Sequence, residues 1–170
     1  MTSATPADPL VGYLLDLVRR NDRRSLAMLR RSLAPGCEAS AYPVVARFFP
    51  PERRPSLERA MLLLAGLFAT HPEHSSSNLG LALRRLADKK GSGSIEGRFM
   101  ALLDARNEDI APHLRQLVSL LASEGLAIDW HDLLRALKNW DFEDNCARRQ
   151  WAKDFWGSRD SFEQETKDEK

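Results

Sequence analysis

His71 and His74 bracket Pro72-Glu73, a spacing that offers two imidazoles to one ion when a helix presents both on one face. Pro72 breaks a helix at that point and no third ligand stands nearby, so the pair predicts no metal site. Asp141, Glu143 and Asp144 form an acidic knot that could hold a divalent ion for phosphodiester cleavage. The competing role is to cap the helix that follows, where free amides and the helix dipole favour carboxylates, and that role is expected here. The stretch from Gly91 to Gly97 follows a helix, lacks the Lys-Ser/Thr ending of a phosphate loop and misses the dinucleotide spacing. No serine or cysteine stands in a motif that would activate it as a nucleophile. His113 and His131 are isolated and expected to be solvated. The sequence thus predicts no catalytic residue, no metal ligand and no cofactor.

What remains is basic residues on helix faces turned away from the apolar stripe. Arg24 and Arg31 lie two turns apart, opposite Leu26, Leu29 and Leu33, with Arg23 and Arg30 beside them. Arg149 and Lys153 lie one turn apart, away from Ala147 and Trp151, with Arg148 nearer the apolar side. Arginine dominates these clusters, and its planar fork suits a phosphate bidentately. Trp156 falls on the second basic face and could stack on an unpaired base, or form the edge of the core. A solvated helix face is the competing account of each cluster, since soluble domains carry abundant charge.

The elements that must position these residues are helical. The apolar residues recur with a 3.6-residue period almost throughout, without the alternation of strands, which predicts an all-α compact bundle of about nine helices. Leu10 to Arg20 reads as one helix, and Asp22 caps a second that ends before Pro35-Gly36. A short helix around Val44 to Phe49 stops at Pro50-Pro51. Pro55 opens a helix that is apolar on nearly all sides, runs to Thr70 ahead of His71-Pro72, and is the expected centre of its half. After a loop, Asn78 to Lys89 is helical, and Gly91-Ser92-Gly93-Ser94 is expected to be a flexible break. Helices then follow over Ile95 to Asp104, from Ile110 to Gly125, from Asp129 through Leu137, and through Ala147, Trp151 and Phe155. The break divides the chain into two sub-bundles, 8–90 and 94–157, followed by an acidic tail, 158–170, too polar to fold.

Composition narrows the possible functions. At 170 residues the chain can bury a core without disulfides or metal, and Cys37 and Cys146 have no metal or disulfide spacing. A reducing cytoplasm is expected, because Thr2 to Pro9 has no export character and Met61 to Ala69 is shorter than the roughly 20 residues of a membrane span. The net charge of +1 excludes a protein whose whole surface is a basic sponge. The tail from Gly157 onward carries −2, which leaves the body at +3 with its cations clustered.

Several segments in order resemble one family. Ser94 to Ala105 contains Arg98-Phe99-Met100-Ala101-Leu102-Leu103, similar to the Arg-Phe-x-x-Leu-Leu segment of CasB, the small subunit of type I-E CRISPR Cascade complexes. His113-Leu114-Arg115-Gln116-Leu117-Val118 and the turn from Gly125 to Trp130 resemble its next helix pair, and Arg149 to Trp156 its closing motif. Upstream, Arg23 to Arg31 resembles the family's basic N-terminal helix, and Leu79 to Ala87 its middle one. Gly97 and the acidic tail depart from the pattern.

The resemblance implies an all-helical, non-catalytic subunit present as two copies, packed against the backbone and large subunits of the complex. It implies partners in guide RNA and target or displaced DNA, without a membrane. The residues then expected on nucleic acid are Arg23, Arg24, Arg30, Arg31, Arg84, Arg98, Arg115, Arg148, Arg149 and Lys153. Such a subunit would hold phosphates and shape, since base pairing with the guide reads sequence. The alternatives are a helical adaptor that binds only proteins and a helix-turn-helix regulator. The latter is disfavoured because the candidate helices open with Asp22, Asp129 or Glu143, which would repel phosphate.

Overall fold

The computed structural model describes residues 7–157, so the tail expected over 158–170 lies outside the described residues. Among the described residues nine α-helices form: α1 (Pro9–Arg19), α2 (Arg23–Arg31), α3 (Tyr42–Val45), α4 (Pro55–Thr70), α5 (Leu79–Lys90), α6 (Ser92–Asp104), α7 (Ile110–Ser123), α8 (Trp130–Lys138) and α9 (Cys146–Trp156). Tight 3-10 turns at Glu38–Ala41 and Ala46–Phe48 flank α3. The all-α expectation holds, and one isolated parallel bridge, His74 with Ile128, is the sole ladder pairing in the described residues.

Side-chain caps set the helix starts. Asp8 accepts from the Leu10 amide at 2.9 Å, Asp22 from Ser25 at 3.0 Å, Asn78 from Leu81 at 2.9 Å and Asp129 from Asp132 at 3.1 Å. Each such cap is worth about 1 kcal/mol. The start of α9 departs from expectation: Asn145, not the acidic knot, is its cap, accepting from the Arg148 amide at 3.0 Å. An amide can do more there than a carboxylate, because Asn145 Nδ2 also donates to the carbonyls of Ala136 and Asn139, tying α9 to the end of α8. Asp141 instead accepts from the Asn107 amide at 3.1 Å. The expected flexible break is a one-residue joint. Gly91 sits at φ 95°, where glycine is free of Cβ strain, and Ser92 to Ser94 already belong to α6.

α4 is the central helix, with Met61, Leu64, Leu67 and Phe68 buried, and it packs on α2, α7 and α8. Gly66 permits the α2 approach, since a Cβ there would meet Leu33 Cδ2 at 2.6 Å. The most extensive helix pair joins α5 to α9, where Gly80 faces the Trp151 carbonyl so closely that a Cβ would collide with it. One apolar core therefore runs through helices on both sides of Gly91.

Polar ties also join segments on the two sides of Gly91. The buried ring of His71 bonds through Nε2 to the Leu126 carbonyl at 2.7 Å, the Asp129 amide donates to Ser77 O at 2.7 Å, and Trp130 Nε1 donates to Glu73 O at 2.8 Å. His131 is not the solvated residue expected: its Nδ1 accepts from the Asp8 amide at 3.0 Å and its ring meets His74 edge-on. Lys138 completes this anchor by donating to Asp8 Oδ2 at 2.6 Å.

Candidate nucleic-acid interface

α2 buries one stripe against α4 and α1 and exposes its opposite face. Leu29 is its one fully buried side chain, with Leu26 and Leu33 packed beside it, while Arg23, Arg24, Arg30 and Arg31 are exposed. Asp22 locks the start of the helix, its carboxyl held below the usual range by hydrogen bonds from the Ser25 amide and hydroxyl, helped by the charges of Arg20 and Arg24. The other end is closed by a residue from far along the chain. Arg115 of α7 donates to the Leu33 carbonyl at 2.7 Å, which places a fifth arginine beyond the last turn of α2, where a cation suits the helix dipole.

On α9, Arg149 and Lys153 are exposed on the face away from Ala147, Trp151 and Phe155. Arg148 lies 5.0 Å from the centre of the Trp140 ring, a cation–π contact that keeps it half-buried. The structure does not bring the two basic groups together: α2 packs on α1 and α4, and α9 on α5 and α8.

The sharpest division among the cations is their pairing. Arg19, Arg20, Arg84, Lys89, Lys90, Arg135 and Lys138 each lie within 4.0 Å of a carboxylate. Of the ten residues expected on nucleic acid, only Arg84 is in that group. It is half-buried in the α5–α9 seam, with Nη1 donating to the Phe155 carbonyl at 3.2 Å and Nε 3.4 Å from Asp88. Arg98 is half-buried on α6. The remaining expected arginines and Lys153 make no ion pair among the described residues.

Trp156 is spent inside the protein. It stacks on Phe99 at 5.3 Å and donates through Nε1 to Glu96 at 2.9 Å, so it forms the edge of the core and offers no open ring. The spacing along the chain missed two further arginines. Arg20 and Arg47 lie 5.7 and 4.8 Å from the centre of the Tyr13 ring. The seven-residue step from Tyr13 to Arg20 on one helix face was a visible signal, whereas Arg47 arrives by tertiary packing.

Between the end of α2, α4 and α7 lies an open groove of about 910 Å³, whose lining includes Leu33, Leu62, Leu63, Leu67, Arg59 and Arg115. No histidine or cysteine lines it. Among the described residues no group of three or more His, Cys, Asp or Glu could hold a metal ion, and no helix is long and apolar enough to cross a membrane.

Comparison with known proteins places this arrangement. A Cse2 protein of Thermus thermophilus is 35% identical over 145 residues, covering 84% of each chain. The crystal structure of M. ruber CasB is 30% identical, with a TM-score of 0.76 over 93% of this chain and 98% of that one. A chain of a solved CRISPR RNA-guided surveillance complex is 28% identical, with a TM-score of 0.75 over 92% of this chain and 95% of that one. The family described as CRISPR-associated protein Cse2 matches residues 25–156, which takes in α2 from Ser25 onward, the α5–α9 seam and the whole of α9, and the chain belongs to that family.

Proposed function

We propose that the chain is the small, non-catalytic subunit of a type I-E Cascade surveillance complex, where it steadies guide RNA and the target or displaced DNA strand. Membership of the Cse2 family and likeness to a chain of an RNA-guided surveillance complex support the assembly. The observation that carries the nucleic-acid contact is the row of exposed arginines on α2, closed by Arg115, that makes no ion pair within 4.0 Å among the described residues. Cations left unpaired in a protein with nearly as many acids as bases are available to phosphates. The contacts are to backbone and shape, which leaves sequence reading to the guide.

The test uses assembled complexes. With Arg24, Arg31, Arg149 and Lys153 all replaced by alanine, the subunit should still enter the complex, and target binding with strand displacement should weaken. Removing one phosphate grip should shallow the dependence of log affinity on log salt by about 0.7 to 0.9. Undiminished binding by the quadruple variant would favour an adaptor that touches only proteins.

A further inference from the structure

α3 carries a large aromatic ring in solvent. Tyr42 is 50% exposed, resting edge-on against Phe49 at 6.0 Å between ring centres. Pro43, Ala46 and Arg47 are exposed with it, while Val44 and Val45 are buried. Arg47 folds back so that Nη2 donates to the Pro43 carbonyl at 3.3 Å, which sets its guanidinium beside the residue that follows Tyr42. The same guanidinium lies against the Tyr13 ring, with Arg20 also against that ring, and Arg20 shares with Arg24 the field at Asp22. The basic face of α2 thus continues through Arg20 and Arg47 to an open aromatic side chain. Asp16 offsets Arg20 at 2.8 Å, whereas Arg47 has no carboxylate partner among the described residues.

A scattered exposed aromatic means little on its own. An open ring beside an unneutralised guanidinium is a more specific pair of demands: a flat π-face for one and an anion for the other. An unpaired nucleotide supplies both together. A duplex supplies its phosphates but keeps its base faces stacked, so it can satisfy the arginine and not the ring.

The geometry points to Tyr42 and Arg47 as a nucleotide site that selects single strands, with the tyrosine stacking on an unpaired base and the arginine holding a phosphate next to it. This rests on the nucleic-acid contact proposed above and adds to it a preference that α2 alone would not confer.

The experiment measures binding of the full chain at low salt to a labelled oligothymidylate and to a DNA duplex of equal length. Tyr42→Leu should weaken single-strand binding by at least about fivefold and leave duplex binding unchanged, while Tyr42→Phe keeps the parent's affinity for both. Arg47→Ala should weaken both ligands and shallow the salt dependence by about one phosphate's worth. Circular dichroism checks that each variant keeps its helix content. Equal losses on both ligands with Tyr42→Leu, or no loss on the single strand, would overturn the site. If that happens while Arg24→Ala and Arg31→Ala still weaken binding, the tyrosine site falls alone. If the parent binds neither ligand, the contact proposed for α2 falls with it.

Discussion

α2 and the α5–α9 seam both carry adjacent arginines on amphipathic helices, yet the structure uses them in opposite ways. On α2, Arg23-Arg24 and Arg30-Arg31 stand in solvent, on the face opposite the stripe of Leu26, Leu29 and Leu33 that packs on the core. In the seam, Arg84 reaches the Phe155 carbonyl and Asp88, Arg85 donates to Ser77 Oγ at 2.9 Å, and Asn78 bonds Asp154 at 2.5 Å. The difference is that α5 has a whole helix laid across it, which supplies the Phe155 carbonyl to Arg84 and the Asp154 carboxylate to Asn78, whereas the arginines of α2 face water. A basic pair in a helix becomes a binding surface or a structural stitch according to what packs opposite it. Local spacing cannot tell the two apart.

The contrast can be broken from the seam side first. Trp151 is fully buried, and its Nε1 donates to the buried Asp132 carboxylate at 2.6 Å. Trp151→Ala should cost about 3–5 kcal/mol in urea unfolding, and the lost donor to Asp132 pushes it toward the upper end. A loss no larger than that of an α2 surface variant would mean that the seam is not the stabilising region. Gly80→Ala sets two effects against each other. Helix propensity favours alanine by about 1 kcal/mol, but the Cβ collides with a backbone carbonyl that cannot move without shifting α9, so a net loss of about 1–3 kcal/mol is expected. Gly97→Ala, on an α6 face with nothing near its Cβ, should be neutral or slightly stabilising in the same measurement.

Smaller effects sharpen the division between stitched and free arginines. Arg84→Ala should cost about 1 kcal/mol by stranding the Phe155 carbonyl, whereas Arg31→Ala should stay within about 0.5 kcal/mol and show itself only in salt-dependent nucleic-acid binding. Matching stability losses for the two would erase the distinction. The smallest effect comes from pH. The pKa of His74 is lowered by burial, and further by the charge of His131, against the opposing pull of Asp129. Because the unfolded chain takes up the proton more readily, stability is complete above the ordinary histidine value of about 6.5 and falls as pH drops through it, levelling off below the folded value. Urea midpoints measured from neutral pH to pH 5 should show that fall, and His74→Phe should flatten it.

Much of the fold was legible because its signals are local. Pro55 and the His71-Pro72 pair bound α4 residue for residue, and Asp22, Asn78 and Asp129 mark their helix starts. The misses share one cause. Asn145 outcompetes three nearby acids as a cap because it also reaches back to α8, and His131 is engaged because Asp8, 123 positions earlier, donates to it. At the candidate interface the exposed arginines of α2 and α9 were readable from their place opposite the apolar stripe. That Arg84 is spent on a carbonyl 71 residues away was not, whereas Trp156 takes the core-edge place that the sequence offers as one of its two alternatives.

The anchor at Asp8 carries a consequence for synthesis. Its amide waits for His131 and its carboxylate for Lys138, so this polar anchor of the first helix cannot close until α8 has left the ribosome. For most of translation α1 through α5 are an apolar surface without its cover, since α4 lacks α8 and α5 lacks α9. Closure of such distant contacts is slow, and transiently bare apolar helices are prone to aggregate. Nascent chains arrested shortly after Gly91 should therefore be degraded by protease or held by chaperones, and resistance should appear in one step once α9 emerges.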